Sequence, residues 1–158
     1  MNLLKILILI VLFYATSNAK VINVDNLVNE AKKQDKQLLI FFHMTYCPAC
    51  KRMVRESINS QDIIAQIKSD FIYLDMNINH DDNIIYKDFK GSIHKFAKEF
   101  NIYFYPSTIF IGKDNEVKYN LKGYRNKEKF STVIQYISTK SYKKMSLDSF
   151  IDEKDFNK

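Results

Sequence analysis

Two cysteines stand three residues apart, as Cys47-Pro48-Ala49-Cys50, and they are the only cysteines in the 158 residues. Three chemistries are open to such a pair: reversible dithiol–disulfide exchange, metal binding, and a fixed structural bridge. A metal site takes about four ligands and normally shows a second Cys or His pair, whereas His43, His80 and His94 are isolated in the sequence. A structural bridge stabilises most when it closes a long loop. Secreted domains that depend on such bridges also spread their cysteines along the chain. Here the loop closed would run only from Cys47 to Cys50. A bridge that adds so little stability is better explained by its chemistry.

Exchange requires one sulfur as a thiolate. Pro48 suits the first position of a helix, where a missing N–H costs nothing. Cys47 would then sit at the helix N-terminus, where unpaired amides and the helix dipole favour negative charge. That lowers the thiol pKa and raises the nucleophilic fraction. Cys50 would lie one turn further in. Lys51 and Arg52 bring positive charge nearby but read as ordinary exposed helix positions. The expected reaction has two exchanges: Cys47 attacks a substrate disulfide, and Cys50 then attacks Cys47 and releases the reduced substrate. Run backwards, the same steps oxidise a dithiol.

The elements that must position this pair are legible in the patterning. Residues 37–43 read Gln-Leu-Leu-Ile-Phe-Phe-His, a continuous apolar run suited to a central strand covered on both faces. A helix is predicted over 47–58, a second over 60–68 capped by Ser60, and another strand over 71–76. Strand, helix, strand implies a parallel pair. A helix over 24–33 precedes them, with Asp25 as its N-cap. Residues 77–91 are polar and are expected to form a loop with a short helical turn around 84–89. Ser92 caps a helix through Phe100. Strands over 107–111 and 116–121 form a hairpin around Lys113-Asp114-Asn115, which Gly123 ends. Asn126 caps a long helix over 127–138, and Ser146 begins a short C-terminal helix carrying Leu147, Phe150 and Ile151. There is no internal repeat.

Composition fits one folded domain: 46% of residues are hydrophobic, with only 3 Gly and 2 Pro. The formal net charge is +6. Basic residues are interspersed with acidic ones, and no basic face alternates with aromatics, so nucleic acid is not an expected partner. The first residues read differently from the rest. Lys5 is followed by an unbroken apolar run over 6–14, and small residues stand at Ser17 and Ala19. This is the layout of a secretory signal peptide cut after Ala19, and the run is shorter than the ~20 residues a membrane span needs. An uncleaved N-terminal anchor is the alternative. The expected organisation is a signal peptide over 1–19, one domain over 20–140, and a C-terminal extension with a short helix over 141–158. The expected location is exported, in the periplasm.

The segment from Leu39 through Cys47-Pro48-Ala49-Cys50 to Lys51 resembles the strand-to-active-site segment of thioredoxin-fold proteins. Phe100-Asn101-Ile102-Tyr103-Phe104-Tyr105-Pro106-Ser107-Thr108 resembles their second signature, which ends in a cis-proline. Gly123 falls where that family usually has a glycine before its last helix. The resemblance covers about residues 22–140. It implies an α/β thioredoxin-like fold, a mixed sheet of a parallel βαβ unit plus a C-terminal β-hairpin, with helices on both faces. It further implies that Pro106 is cis and packed against the cysteines. In that arrangement the backbone of Tyr105 pairs with a substrate segment as a strand would, and Tyr46 lines the same groove. No cofactor beyond the Cys47–Cys50 disulfide and no metal are implied, and the chain is expected to be monomeric.

Gly123-Tyr124 and the tail over 142–151 resemble the exported SoxW-type group, which implies a periplasmic reductase fed by a membrane electron carrier of the DsbD or CcdA kind. Two departures bear on mechanism. Where cytosolic thioredoxins carry a buried acid in the strand before the motif, this chain has Phe41, so that proton path is absent or rerouted. Between the cysteines stand Pro48 and Ala49, without the histidine of strongly oxidising DsbA-type proteins, which implies a less oxidising pair. Residues 77–91 are too few for the helical insertion of DsbA-like oxidases, and no dimerisation domain of the DsbC kind precedes the motif. The expected partners are protein thiols and disulfides. Two alternatives stay open: a binding module that delivers copper or haem through the same two thiols, and a dithiol oxidase.

Overall fold

Seven residues, Gln37–His43, form strand β2, and six of them are buried. In this computed structural model, which describes residues 19–156, β2 lies inside a four-stranded sheet. Its neighbours are β3 (Phe71–Asn77), parallel, and β6 (Ser107–Ile111), antiparallel. β7 (Val117–Lys122) pairs antiparallel with β6 at the far edge. The expected mixed sheet is thus present, with order β3-β2-β6-β7. The expected leader falls almost wholly outside the described residues. Among the described residues, no helix is long and apolar enough to cross a membrane.

Side chains alternate across a strand, so β2 feeds two cores. Leu38, Ile40 and Phe42 face one, with helix α1 (Val24–Lys33) and helix α4 (Ile93–Glu99) packed over them. Leu39 and Phe41 face the other, beneath α2 (Pro48–Met53), α3 (Gln61–Asp70) and α5 (Lys127–Ser138). Each fully buried Leu, Ile or Phe contributes roughly 1.5–3 kcal/mol, and this double burial makes β2 the reference frame for both helical layers. The tail adds α6 (Leu147–Phe156), whose Leu147 and Phe150 pack against the second core. The Tyr136 hydroxyl donates to the Met145 carbonyl at 2.7 Å and ties the tail down.

Three sequence-based expectations are corrected. Residues 77–91 do not form a loop with a helical turn. They hold strands β4 (Asn83–Tyr86) and β5 (Phe89–Ser92), an antiparallel hairpin. A short strand β1 (Val21–Asn23) pairs parallel with β4, completing a second, three-stranded sheet. The segment is hard to read in sequence because only Ile84, Ile85, Tyr86 and Phe89 are apolar within its strands, and β4 gains a partner from 62 residues away. The first helix is capped by Asn23, whose side chain accepts from the Asn26 N–H, and not by Asp25. Asp25 instead accepts from the Lys87 N–H and the Asn115 side chain, which pins α1 to two turns. Finally, the helix over 47–58 is not uniform. After Met53 it widens into a π-turn over Val54–Ile58, closed by the Asn59 N–H on the Val54 carbonyl at 2.9 Å.

Phe96 is fully buried at the centre of an aromatic cluster with Phe42, Tyr86, Phe89 and Phe100. It joins α4 to both sheets. Phe96→Ala is expected to cost about 3–5 kcal/mol, read as a lowered urea midpoint. A loss below ~1 kcal/mol would show that the small sheet is not anchored through this ring.

Candidate active site

β2 ends at His43, and after three intervening residues the chain enters α2 through Cys47. The connection is fixed from β3. The Ile78 N–H donates to the His43 carbonyl at 2.9 Å, the Thr45 N–H to Asn79 Oδ1 at 3.0 Å, and Asn77 Nδ2 to Thr45 Oγ1 at 2.9 Å. Asn77 is buried, so its amide is a built-in strut rather than a surface polar group. Neither Asn77 nor Asn79 stands out in sequence, because their partners lie more than thirty positions away.

Cys47 is the N-cap of α2 and Pro48 its first residue. The Cys50 N–H donates to Cys47 Sγ at 3.1 Å. The sulfur therefore occupies the place of a capping oxygen, where one otherwise orphaned amide reaches it. The two sulfurs are joined, with Cα atoms 5.2 Å apart. Their surroundings differ. Cys47 is 8% exposed at the helix mouth, while Cys50 is 2% exposed, one turn in. A nucleophile must be met from outside, so Cys47 is placed to be attacked or to attack first. Ala49 is exposed and carries no polar group toward either sulfur.

Pro106 stands immediately before β6, and Ser107 pairs with Phe42 of β2. That register sets Pro106 beside the end of β2 from which the Cys47 segment departs. The Tyr105–Pro106 peptide is cis. The Pro106 carbonyl accepts from the Gly123 N–H at 2.8 Å. Gly123 has φ +84°, a left-handed conformation that glycine adopts without a Cβ penalty. Tyr105 is half-buried against the first core. Tyr46 is 89% exposed, and so are much of Tyr103 and Phe104, at 60% and 72%. The loops carrying these three leave neighbouring strands at the same end of the sheet. Tyr103 and Phe104 do not stand out as site residues in sequence, because exposure is not visible in an aromatic-rich run.

A clamp holds the active-site helix from the other side. Arg52 Nε pairs with Glu56 at 2.7 Å, and its guanidinium lies 4.6 Å from the centre of the Tyr124 ring. The Tyr124 hydroxyl also donates to Glu56 at 2.9 Å. Hydrogen bonds from Arg52, Arg55 and Tyr124 hold the Glu56 carboxyl down to about 2. Buried Ser57 donates to the Arg125 carbonyl at 2.7 Å. The loop after Gly123 is thereby tied to the helix that bears the cysteines. Arg52, which reads in sequence as an ordinary exposed helix position, is thus a strut of this clamp through Glu56 and the Tyr124 ring.

One group of side chains beside the cysteines comes together only in the fold. Leu39, Phe41 and His43 share one face of β2, and Tyr73 and Asp75 share that face of β3, since β2 and β3 run parallel with Phe41 opposite Asp75. His43 Nε2 meets Asp75 Oδ2 at 3.0 Å, and the Tyr73 hydroxyl donates to Asp75 Oδ1 at 3.2 Å. The Phe41 ring stacks on the His43 ring at 5.7 Å. The Asp75 hydrogen bond raises the His43 pKa above the ordinary imidazole value, against the opposing effect of burial. For Asp75, burial pushes upward, but the bonds from His43 and Tyr73 prevail and its pKa is lowered. The signal present in sequence is an acid, Asp75, inside an otherwise strand-like apolar run. Among the described residues, no three of His, Cys, Asp and Glu converge as a metal site would require.

Comparison with known proteins agrees with this architecture. The model of the thioredoxin-like domain matches residues 24–138. A thioredoxin-fold protein from Helicobacter pylori superposes with a TM-score of 0.67 at 22% identity, over 92% of this chain and 98% of that one. A thioredoxin from Thermus thermophilus gives 0.59 at 14% identity, over 75% and 86%. The reduced C-terminal domain of DsbD from Neisseria meningitidis gives 0.52 at 19% identity, over 71% and 91%. At such identities the likeness carries the fold and nothing finer. No curated protein matches the sequence.

With its sulfur at the head of α2, reduced Cys47 is expected to ionise below the ~8.5 of an ordinary thiol. Buried Cys50 is expected to hold its proton to higher pH. Ultraviolet thiolate absorbance against pH in Cys50→Ser and Cys47→Ser variants separates the two. Ordinary ionisation of Cys47 would refute the assignment.

Proposed function

The chain belongs to the thioredoxin-like domain family, and we propose that it is an exported thiol–disulfide oxidoreductase acting mainly as a reductase of protein disulfides. The observation that carries this reading is the unequal burial of a linked pair at a helix start, with Cys47 at the mouth and Cys50 beneath it. Cys47 thiolate attacks a substrate disulfide, one substrate sulfur leaves, and a mixed disulfide forms. Cys50 then attacks Cys47, the second substrate sulfur leaves as a thiol, and the enzyme pair is oxidised. No cofactor beyond the pair takes part.

Ala49 supports this direction. A side chain able to stabilise the thiolate further would make the pair more oxidising, and a methyl group cannot. The substrate segment lies along the Tyr105 backbone beside Pro106, with Tyr46 supplying an exposed aromatic wall. Export rests on the leader-like residues 1–19, with the periplasm as the compartment and 20–140 as the thioredoxin-like domain. Within the family, Gly123-Tyr124 and the tail over 142–151 favour the SoxW-type group. A membrane carrier of the DsbD or CcdA kind would return the pair to its reduced state. The protein works as a monomer.

Cys47→Ser is expected to abolish turnover in a coupled disulfide-reduction assay. Cys50→Ser is expected to accumulate mixed disulfides with client proteins, visible as thiol-sensitive bands on non-reducing gels. Unaltered reduction by both variants would refute the reading.

A further inference from the structure

The second exchange makes a demand that the pair itself does not meet. Cys50 must lose its proton before it can attack Cys47. At 2% exposure, burial opposes the charged form. A base is therefore needed within reach of that sulfur.

Cys50 opens onto one cleft of about 820 Å³, which is also lined by His43, Tyr73, Asp75 and Asn77. The volume is ample for several waters at ~30 Å³ each. The charged and titratable groups around it come from every bordering element. Lys51 and Arg55 project from the active-site helix, Tyr73 and Asp75 from β3, and His43 from the end of β2. His80, from the turn after β3, acts on Asp75 from outside. Lys51 and Arg55 are cations and accept no proton. Tyr73 donates its own proton to Asp75, and Asp75 is a weak base once two donors hold it. His43 is left as the group that can take a proton near neutrality.

We propose that His43, oriented by Asp75, is the proton acceptor for Cys50 in the resolving step, acting through water in this cleft. This rests on the dithiol-exchange reading above. In the step, the Cys50 S–H proton passes to the neutral imidazole and the Cys50 thiolate attacks Cys47 Sγ. The Cys47–Cys50 bond forms while the bond from Cys47 to the substrate sulfur breaks. The substrate sulfur departs with the electron pair and takes up the proton that the imidazolium releases. Enzyme and substrate exchange two electrons, and no outside reagent enters. The Asp75 carboxylate makes the imidazole a stronger base and fixes the ring through Nε2, and the Met44 backbone also favours its charged form.

Reaction of the reduced protein with one equivalent of dithiobis-nitrobenzoate separates the steps. The first coloured thiolate appears when Cys47 attacks, and the second when Cys50 displaces the one held on Cys47. In the parent protein the second rate is expected to fall as pH drops through the His43 pKa, with its inflection above the ordinary ~6.5. His43→Asn is expected to slow the second release about a hundredfold near neutrality and to move the inflection up into the thiol range. Asp75→Asn alters a side chain that is 55% exposed and not part of either core. Its inflection is expected to move down, because the imidazolium loses its partner. The proposal is overturned if either variant keeps the parent's inflection, including a uniform slowing at every pH. A first release no faster than that of an ordinary thiol would instead overturn the exchange reading itself.

Discussion

A strand buried on both faces has little freedom to shift, because a slip by one residue exchanges its two side-chain sets between cores that are already filled. β2 is such a strand, with Leu38, Ile40 and Phe42 committed to one core and Leu39 and Phe41 to the other. Its two ladders are fixed as well, in parallel to β3 and antiparallel to β6. The site is assembled from what happens at one end of these three strands. β2 delivers Cys47, β6 begins just after Pro106, and β3 ends in Asn77, whose amide braces the connecting segment. Without that locked register, the cysteine, the proline and the brace would have no common frame.

Within this frame the two thiols are chemically unlike although they stand one turn apart. Cys47 Sγ takes the position of a helix cap and receives an amide hydrogen bond. Cys50 is enclosed and faces a cleft lined by His43, Tyr73, Asp75 and Asn77 of the sheet and by Lys51 and Arg55 of the active-site helix. The helix backbone thus serves the first sulfur, while side chains of sheet and helix surround the second. Phe41 stacks on the His43 ring, and the polar groups at this level of the sheet are His43 at the end of β2 and Asp75 on β3.

The parts that can be read from the sequence are those with local signatures. The continuous apolar run of β2 and the Cys47-Pro48-Ala49-Cys50 unit are two. The caps at Ser92 and Asn126 are others, and in the structure both side chains accept from the N–H three residues on. The parts hidden from a sequence reading depend on distant pairing. β1 and β4 define each other across 62 residues, and neither carries an alternating pattern of its own. The His43–Asp75 pair spans 32 residues and exists only because the parallel register sets β2 and β3 side by side. Asp25 has the residue type of a cap, but it is engaged by Lys87 and Asn115, and Asn23 does the capping.

The π-turn over Val54–Ile58 sets the rotational phase of the active-site helix. One residue in a regular helix advances the side chains by about 100°. The wider turn absorbs such an increment, so that Met53 and Ile58 both point into the second core while Ser57 reaches the Arg125 carbonyl. A regular helix of the same length would turn Ser57 and Ile58 by about one such increment relative to Pro48–Met53. The anchoring of Ser57 on the Arg125 carbonyl and the placing of Met53 in the second core could then no longer both be kept.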